Sequence, residues 1–436
     1  MRVLWFTNSP SLSSDFLDNE KVGSSWIGAL EGELTKLKDI ELGIAFNLFN
    51  SRKTSFTINQ TKYFPVSKID PLNRITKITQ RWAKKIQGKK DLQPYLDIID
   101  DFQPDVIHIF GTEEVYGLIA SETHIPCIIH IQGNLNVSKK KWYSGISKWD
   151  ILKYSNKWSF LKGFGIIHDY LTLKKAAERE ELIFNGCKYF MGRTDWDRRI
   201  TSILAPHSSY FHCEEVLRSE FYSKKWAPHL KRKKYVIIST IRNNIYKGLE
   251  TVYESMQLLN KYHPQEKVIW KIVGTDETDE IAHILEKKYK STFREHDIEL
   301  LGSLNETDLI REMLDSDLFV HPSHIDNSPN SVCEAMMLGM PIITTFSGGT
   351  PSIIENKTEG LLVQDGDPYA MVGAIIELKN DTNYAADLGL KGRSRAVERH
   401  NPHKIIDGLI EIYSSVTTKT KKYKVDSIGI GKDQNY

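Results

Sequence analysis

Two cations and two carboxylates in the second half of the chain have the types and spacings to hold one anionic, hydroxyl-rich ligand. Arg242 follows the apolar run Tyr235–Ile241, and Lys247 comes five positions later, where a helical pattern through Leu249, Val252 and Met256 begins. Arginine presents forked planar donors and lysine a mobile point charge, so together they can neutralise a diphosphate. Further on, HPSHIDNSPNSVCEAMMLGMPIITT passes from a strand through a polar turn into a helix that starts near Pro329 and closes at Gly339. Free N–H groups around Asn330, Ser331 and Val332 form an anion or hydroxyl site there, while Asp326 and Glu334 can accept hydrogen bonds from vicinal hydroxyls. Each group also has a plainer use: solvated surface charge for the cations, and helix-dipole stabilisation for Glu334.

The elements that must position these residues follow from hydrophobic periodicity. Short apolar runs at Arg2–Thr7, Ile40–Phe46, Pro104–Gly111, Ile125–Gly133 and Lys188–Arg199 alternate with helical patterns such as Ser25–Lys38. That alternation is βαβ arithmetic and predicts a parallel sheet covered by helices. A basic stretch with a proline and no hydrophobic period, Lys224–Lys234, marks a linker. The alternation then resumes at Tyr235–Ile241, Lys267–Gly274, Ile298–Ser303, Asp317–Ser323, Pro341–Thr345 and Gly360–Gln364. The expected fold class is therefore α/β: two doubly wound, Rossmann-like domains facing across a cleft, residues 1–225 and 226–400. A helix over 401–416 is expected to pack back on the first domain, followed by a disordered tail over 417–436. Doubly wound sheets bind ligands at the carboxyl ends of their strands, so function belongs in the cleft.

At these positions the sequence resembles the retaining glycosyltransferases of family 4, which have the GT-B fold, and the resemblance covers nearly the whole chain. In that family two glutamates separated by seven residues bind a nucleotide-diphosphate sugar, the first at the transferred sugar and the second at the ribose. Asp326 and Glu334 occupy those positions. The first is aspartate here, one methylene shorter, which bears on the choice of sugar. Arg242 and Lys247 match the family's arginine and lysine for the donor phosphates, and Gly248 fits as well. Gly23 stands where family members bring a glycine-rich loop to the phosphates, although Ser24 or Ser25 beside it could simply cap a helix. His130, ending IPCIIH, resembles the histidine that some relatives place near the transferred sugar and acceptor. His108 in PDVIHIFG is its rival, and a satisfied core histidine is the plain reading of both. Arg193 and Asp195 in GRTDWDRR face either the acceptor or each other in an internal salt bridge. The resemblance implies metal independence, the cations standing in for magnesium, with the nucleotide sugar as co-substrate and no cofactor.

Composition narrows the partners. Of the 436 residues, 40% are hydrophobic and 26% charged, as in an ordinary globular protein, and a net charge of +2 argues against a dedicated nucleic-acid binder. Cys127, Cys187, Cys213 and Cys333 have no metal-ligand spacing and read as reduced packing thiols. The opening MRVLWFTNSP reads as a strand and not as a leader, and no apolar stretch is long enough for a span. Between Lys139 and Phe164, however, lysines including Lys153 interleave with Trp142, Trp149 and Trp158, opposed only by Asp150. This composition predicts a peripheral membrane or lipid-linked-acceptor surface, or else a helical hairpin with solvated lysines. The expected partners are thus a nucleotide sugar and a carbohydrate or lipid-linked acceptor, and the expected location is the cytoplasm at the inner face of a membrane. The implied role is surface-polysaccharide or glycolipid synthesis. A sugar-nucleotide epimerase and a catalytically silent sugar-nucleotide binder are the alternatives on the same fold.

Overall fold

The computed structural model describes residues 1–17, 26–49, 54–68, 74–83, 86–229 and 232–429. Eight strands build the first domain: β1 (Arg2–Thr7), β2 (Glu41–Phe49), β3 (Phe56–Ile58), β4 (Thr61–Lys68), β5 (Val106–Phe110), β6 (Cys127–His130), β7 (Tyr189–Gly192) and β8 (Ser209–His212). Six build the second: β9 (Tyr235–Thr240), β10 (Val268–Val273), β11 (Ile298–Leu300), β12 (Leu318–His321), β13 (Ile342–Thr345) and β14 (Leu361–Val363). The first sheet runs β3-β4-β2-β1-β5-β6-β7-β8 and is parallel except for the β3–β4 hairpin. The second runs β11-β10-β9-β12-β13-β14, and its strand pairs are parallel. In each sheet the order reverses once, at β1/β5 and at β9/β12, which opens a crevice where the connecting loops part.

The strands are apolar nearly end to end because helices cover both faces, and β1, β5, β6 and β12 carry almost no exposed residue. One core of the second domain contains Ile237, Val252, Trp270 and Ile284, and four first-domain residues join it: Trp142, Ile146, Ile151 and Ile166. The segment that leaves β6 therefore reaches across and packs on the other domain.

The chain enters the second domain earlier than the basic linker suggests. Leu217, Phe221 and Trp226 already belong to a cluster with Met313, Val332 and Met336, and Trp226 Nε1–H donates to the Ser316 carbonyl at 2.7 Å. The crossing falls at residues 213–218, where buried Glu215 pairs with buried Arg193. The return crossing lies against it: Arg399 Nε donates to Glu214 at 2.8 Å, and His400 Nδ1 sits 2.8 Å from the Glu215 carbonyl.

After the return, the helix Pro402–Gly429 packs Ile405, Leu409, Tyr413 and Val416 into the first domain's core beside Val3 and Trp5. It continues beyond Val416 to Gly429, through residues whose composition pointed to a disordered tail. From Leu409 onward neither proline nor glycine interrupts it before Gly429. Tyr413 anchors this helix. Trp5 Nε1–H donates to its hydroxyl at 3.1 Å, so the hydroxyl's own proton is directed at His108 Nδ1, 2.6 Å away. Register explains the geometry, since Trp5 and His108 are direct neighbours across β1 and β5. His108 is thus a partnered core residue, held neutral by burial, which lowers its pKa to about 3. Tyr413→Phe strands the indole N–H and the imidazole nitrogen in an apolar core. The expected loss is roughly 2–4 kcal/mol, read as a lower urea midpoint with the far-ultraviolet spectrum unchanged.

Candidate functional site

The site forms where the loops after β9 and β12 meet. Gly248 has φ +81°, and a Cβ there would fall 2.1 Å from the Pro322 carbonyl oxygen, so glycine alone lets the two loops touch. The Tyr246 carbonyl then accepts from the His324 amide at 2.9 Å and from Ser323 Oγ at 3.2 Å. This packing carries Lys247 to Asp326, Nζ to Oδ2 at 2.5 Å, and His321 Nε2 lies 3.2 Å from the same oxygen. Burial by itself would raise the Asp326 pKa; the Lys247 ammonium and His321 overcome it and hold the carboxyl well below its ordinary range. Gly348 supports the turn from behind, with φ +54° and no room for a Cβ against the Asp326 carbonyl.

Arg242 lies two residues beyond β9 and is solvent-exposed; no salt bridge is found for its guanidinium among the described residues. The helix Asn330–Leu338 points its start at the same loops. The amides of Asn330 and Ser331 have no main-chain carbonyl partner among the described residues, whereas the Val332 amide donates to the Pro329 carbonyl at 3.0 Å and is already used. Glu334, one turn further, is buried and clasped by Arg218 through two parallel bonds of 2.8 Å. Arg218 has no motif around it in the sequence. Only the crossing at 213–218 brings it under this helix.

Residue 327 closes the site against the first domain. Buried Asn327 accepts from Thr194 Oγ1 at 2.6 Å and donates to Asp197 Oδ2 at 3.0 Å, both at the start of the helix Asp195–Leu204. A second bridge crosses nearby: Lys141 pairs with Asp365 at 3.2 Å, Asp365 lies 3.4 Å from His324 Nδ1, and His324 Nε2 is 2.6 Å from Glu250. Burial opposes charge on His324, but the two carboxylates prevail and raise its pKa.

Residues 221–395 match the family model described as glycosyl transferases group 1. That match spans the second domain, about two-fifths of the chain. The amylovoran biosynthesis glycosyltransferase AmsK of Erwinia amylovora is 24% identical over 186 residues, 40% of this chain and 44% of the relative. The chain spans less than half the length of the curated relatives it matches. Solved structures extend the likeness over the whole fold. Sucrose-phosphate synthase from Thermosynechococcus elongatus superimposes with a TM-score of 0.71 at 14% identity, covering 96% of this chain and 99% of its own. Anabaena HepE, in complex with UDP-glucose, gives 0.63 at 16% identity, covering 95% and 100%. The fold is GT-B.

The first domain differs in places from the sequence reading. His130 ends β6 as expected but is buried, edge-on to Trp26 at 5.5 Å and stacked on His108 at 5.5 Å. Burial and then Arg193 push its pKa well below the usual imidazole range, so it is neutral. Gly23 lies outside the described residues. Arg193 takes the internal salt bridge with Glu215 and also donates to the Ile131 carbonyl at 3.3 Å, while exposed Asp195 pairs with Arg198. Trp142 is not a surface residue: it is buried with its ring 5.6 Å from Tyr246, at the domain junction. Trp149 and Trp158 are exposed, at 81% and 72%, as is Lys153. The four cysteines are buried free thiols.

Because Glu334 is buried, removing its only ion-pair partner among the described residues leaves an uncompensated charge. Arg218→Ala is expected to cost about 3–5 kcal/mol in chemical unfolding, and adding Glu334→Gln to that variant should recover much of the loss.

Proposed function

We propose that the protein is a retaining glycosyltransferase that moves a sugar from a nucleotide-diphosphate donor to a hydroxyl acceptor, in surface-polysaccharide or glycolipid synthesis. The observation that carries this reading is the convergence of Lys247, Asp326 and exposed Arg242 at the β9/β12 crevice, beside the helix start at Asn330. In this reading Arg242, Lys247 and the amides of Asn330 and Ser331 stabilise the departing diphosphate, where negative charge grows as the anomeric bond breaks. They supply that charge in place of a metal ion. Asp326 accepts from hydroxyls of the transferred sugar, Glu334 from the ribose, and the neutral imidazole of His130 backs the sugar from the first domain.

Arg242→Ala and Lys247→Ala should each weaken binding of the matching nucleoside diphosphate about 10–100-fold, the worth of one lost charge-assisted contact, and abolish transfer in a folded protein. Calorimetry with UDP, GDP and ADP, paired with turnover of the corresponding nucleotide sugars, measures both. Wild-type turnover in either variant sinks the assignment.

Contact with a membrane surface belongs to the same proposal. Among the described residues no helix is long and apolar enough to cross a membrane. The ridge of Trp149, Leu152, Trp158 and Leu161 is nevertheless exposed, and Lys148, Lys153, Lys157 and Lys162 flank it. Aromatic and aliphatic side chains beside lysines suit an anionic headgroup boundary. Flotation with vesicles containing about one-third phosphatidylglycerol should carry the wild type upward, more weakly at high salt, and should leave Trp149→Ala/Trp158→Ala at the bottom.

A further inference from the structure

One acid in the cleft has no part in the reading above. Glu113 sits in the loop that leaves β5, at the carboxyl edge of the first sheet and next to its crevice. Its carboxylate lies over bare backbone. Gly111 has φ +85°, and a Cβ on it would fall 1.9 Å from Glu113 Oε2; a Cβ on Gly133, just past β6, would stand 3.9 Å from Oε1. Two strand ends thus form a recess that only glycines leave open.

The neighbours of Glu113 are committed to structure. Thr112 Oγ1 donates to Glu180 at 2.6 Å, and Glu180 is further satisfied by the amides of Leu135 and Asn136. Glu114 pairs with Lys68 at 3.0 Å and accepts from Asn47 at 3.1 Å. Buried Arg179 fixes the loop by donating to the Glu113 main-chain carbonyl. Among the described residues the Glu113 carboxylate has no salt bridge, and the main-chain N–H groups of residues 112 and 113 stabilise its charge. Across the cleft stands Tyr246, the residue before Lys247, and its phenol feels the negative charges of Asp326 and Glu113 together. A loop fixed by Arg179 therefore holds a poorly hydrated acid, without a salt bridge among the described residues, between the first sheet's edge and the loop of Lys247.

We propose that Glu113 receives the acceptor: its carboxylate accepts a hydrogen bond from the incoming hydroxyl and fixes that oxygen opposite the donor. The inference rests on the transferase reading and adds a residue of the first domain that touches the second substrate. Burial, then repulsion from Glu180 and Glu114, raises the Glu113 pKa to about 7, with the main-chain N–H groups opposing. Arg179, Tyr116 and Tyr246 also feel its charge. Acceptor positioning should accordingly strengthen as pH rises through 7 and Glu113 ionises.

Water is the smallest hydroxyl acceptor, so hydrolysis of UDP-glucose, UDP-N-acetylglucosamine and GDP-mannose reads the step without a known acceptor. Glu113→Gln keeps the shape and one acceptor oxygen. It should bind the nucleoside diphosphate within two-fold of wild type, lower hydrolysis of the best donor at pH 8 at least ten-fold, and lose the rise in rate around pH 7. Unchanged hydrolysis with an unchanged pH profile, whether or not the thermal midpoint falls, reduces Glu113 to a structural acid and overturns the inference. A wild-type chain that binds no nucleoside diphosphate fails differently, removing the transferase reading on which the inference stands.

Discussion

The site depends on one buried amide. Asn327 is the residue after Asp326, and its side chain is spent on Thr194 and Asp197 of the opposite domain. Neither domain alone can satisfy it, and a buried amide left unmade costs about 1–3 kcal/mol per group. The loop that carries Asp326 is therefore held to the first domain at 327 and to its own domain through Lys247 and the turn at Gly348. A carboxylate fixed from both sides has its position set to within a hydrogen bond, which electrostatic stabilisation of a reacting centre requires.

The crossings between domains reinforce that arrangement. The chain passes from one domain to the other at 213–218 and returns at 399–401, and the two strands of backbone are bonded together by Arg399 to Glu214, His400 to Glu215 and Tyr222 to the His400 carbonyl at 2.7 Å. Burial drives the His400 pKa down to about 3, so the ring serves as a neutral hydrogen-bonding spacer. The helix beyond the return crossing is anchored in the first domain's core by Tyr413. The same polypeptide also supplies a strap. The strap is the segment from Trp142 to Ile166, which leaves the first domain and packs in the core of the second.

The fold was legible because buried parallel strands must be nearly continuous in apolar residues, and few other constraints produce runs such as VLWF or YVIIST. Lys247 and Asp326 were legible for a related reason: both flank strand ends, where sequence position and spatial position coincide. Arg218 was not, since its partner is 116 positions away and nothing local distinguishes it from a surface arginine. Trp142 misled because composition reports that tryptophan and lysine are interleaved but not which face each takes. Trp142 and Trp149 differ by seven residues, yet one is buried at the junction and the other exposed. The polar stretch after Val416 failed in the opposite direction: weak apolar content argued against packing, but a helix already anchored upstream needs no core to continue. Glu113 lay unnoticed because its distinction is the backbone beneath it, at two glycines from different strands.

The pairing of Lys247 with Asp326 gives the proposed reaction an internal order. Both residues are assigned to the donor, yet here each occupies the other. In the proposed reaction a diphosphate arriving at Arg242 would compete for the Lys247 ammonium with two formal charges against one. Asp326 then retains His321, 3.2 Å away, and regains lone pairs that a sugar hydroxyl can fill. Burial alone would raise its pKa, and Lys247 and then His321 hold it down, so the carboxylate is ionised in this arrangement. Glutamate at 326 would reach one methylene further. In the proposed reaction the shorter aspartate, paired with Lys247, would couple phosphate capture to sugar binding through that one lysine.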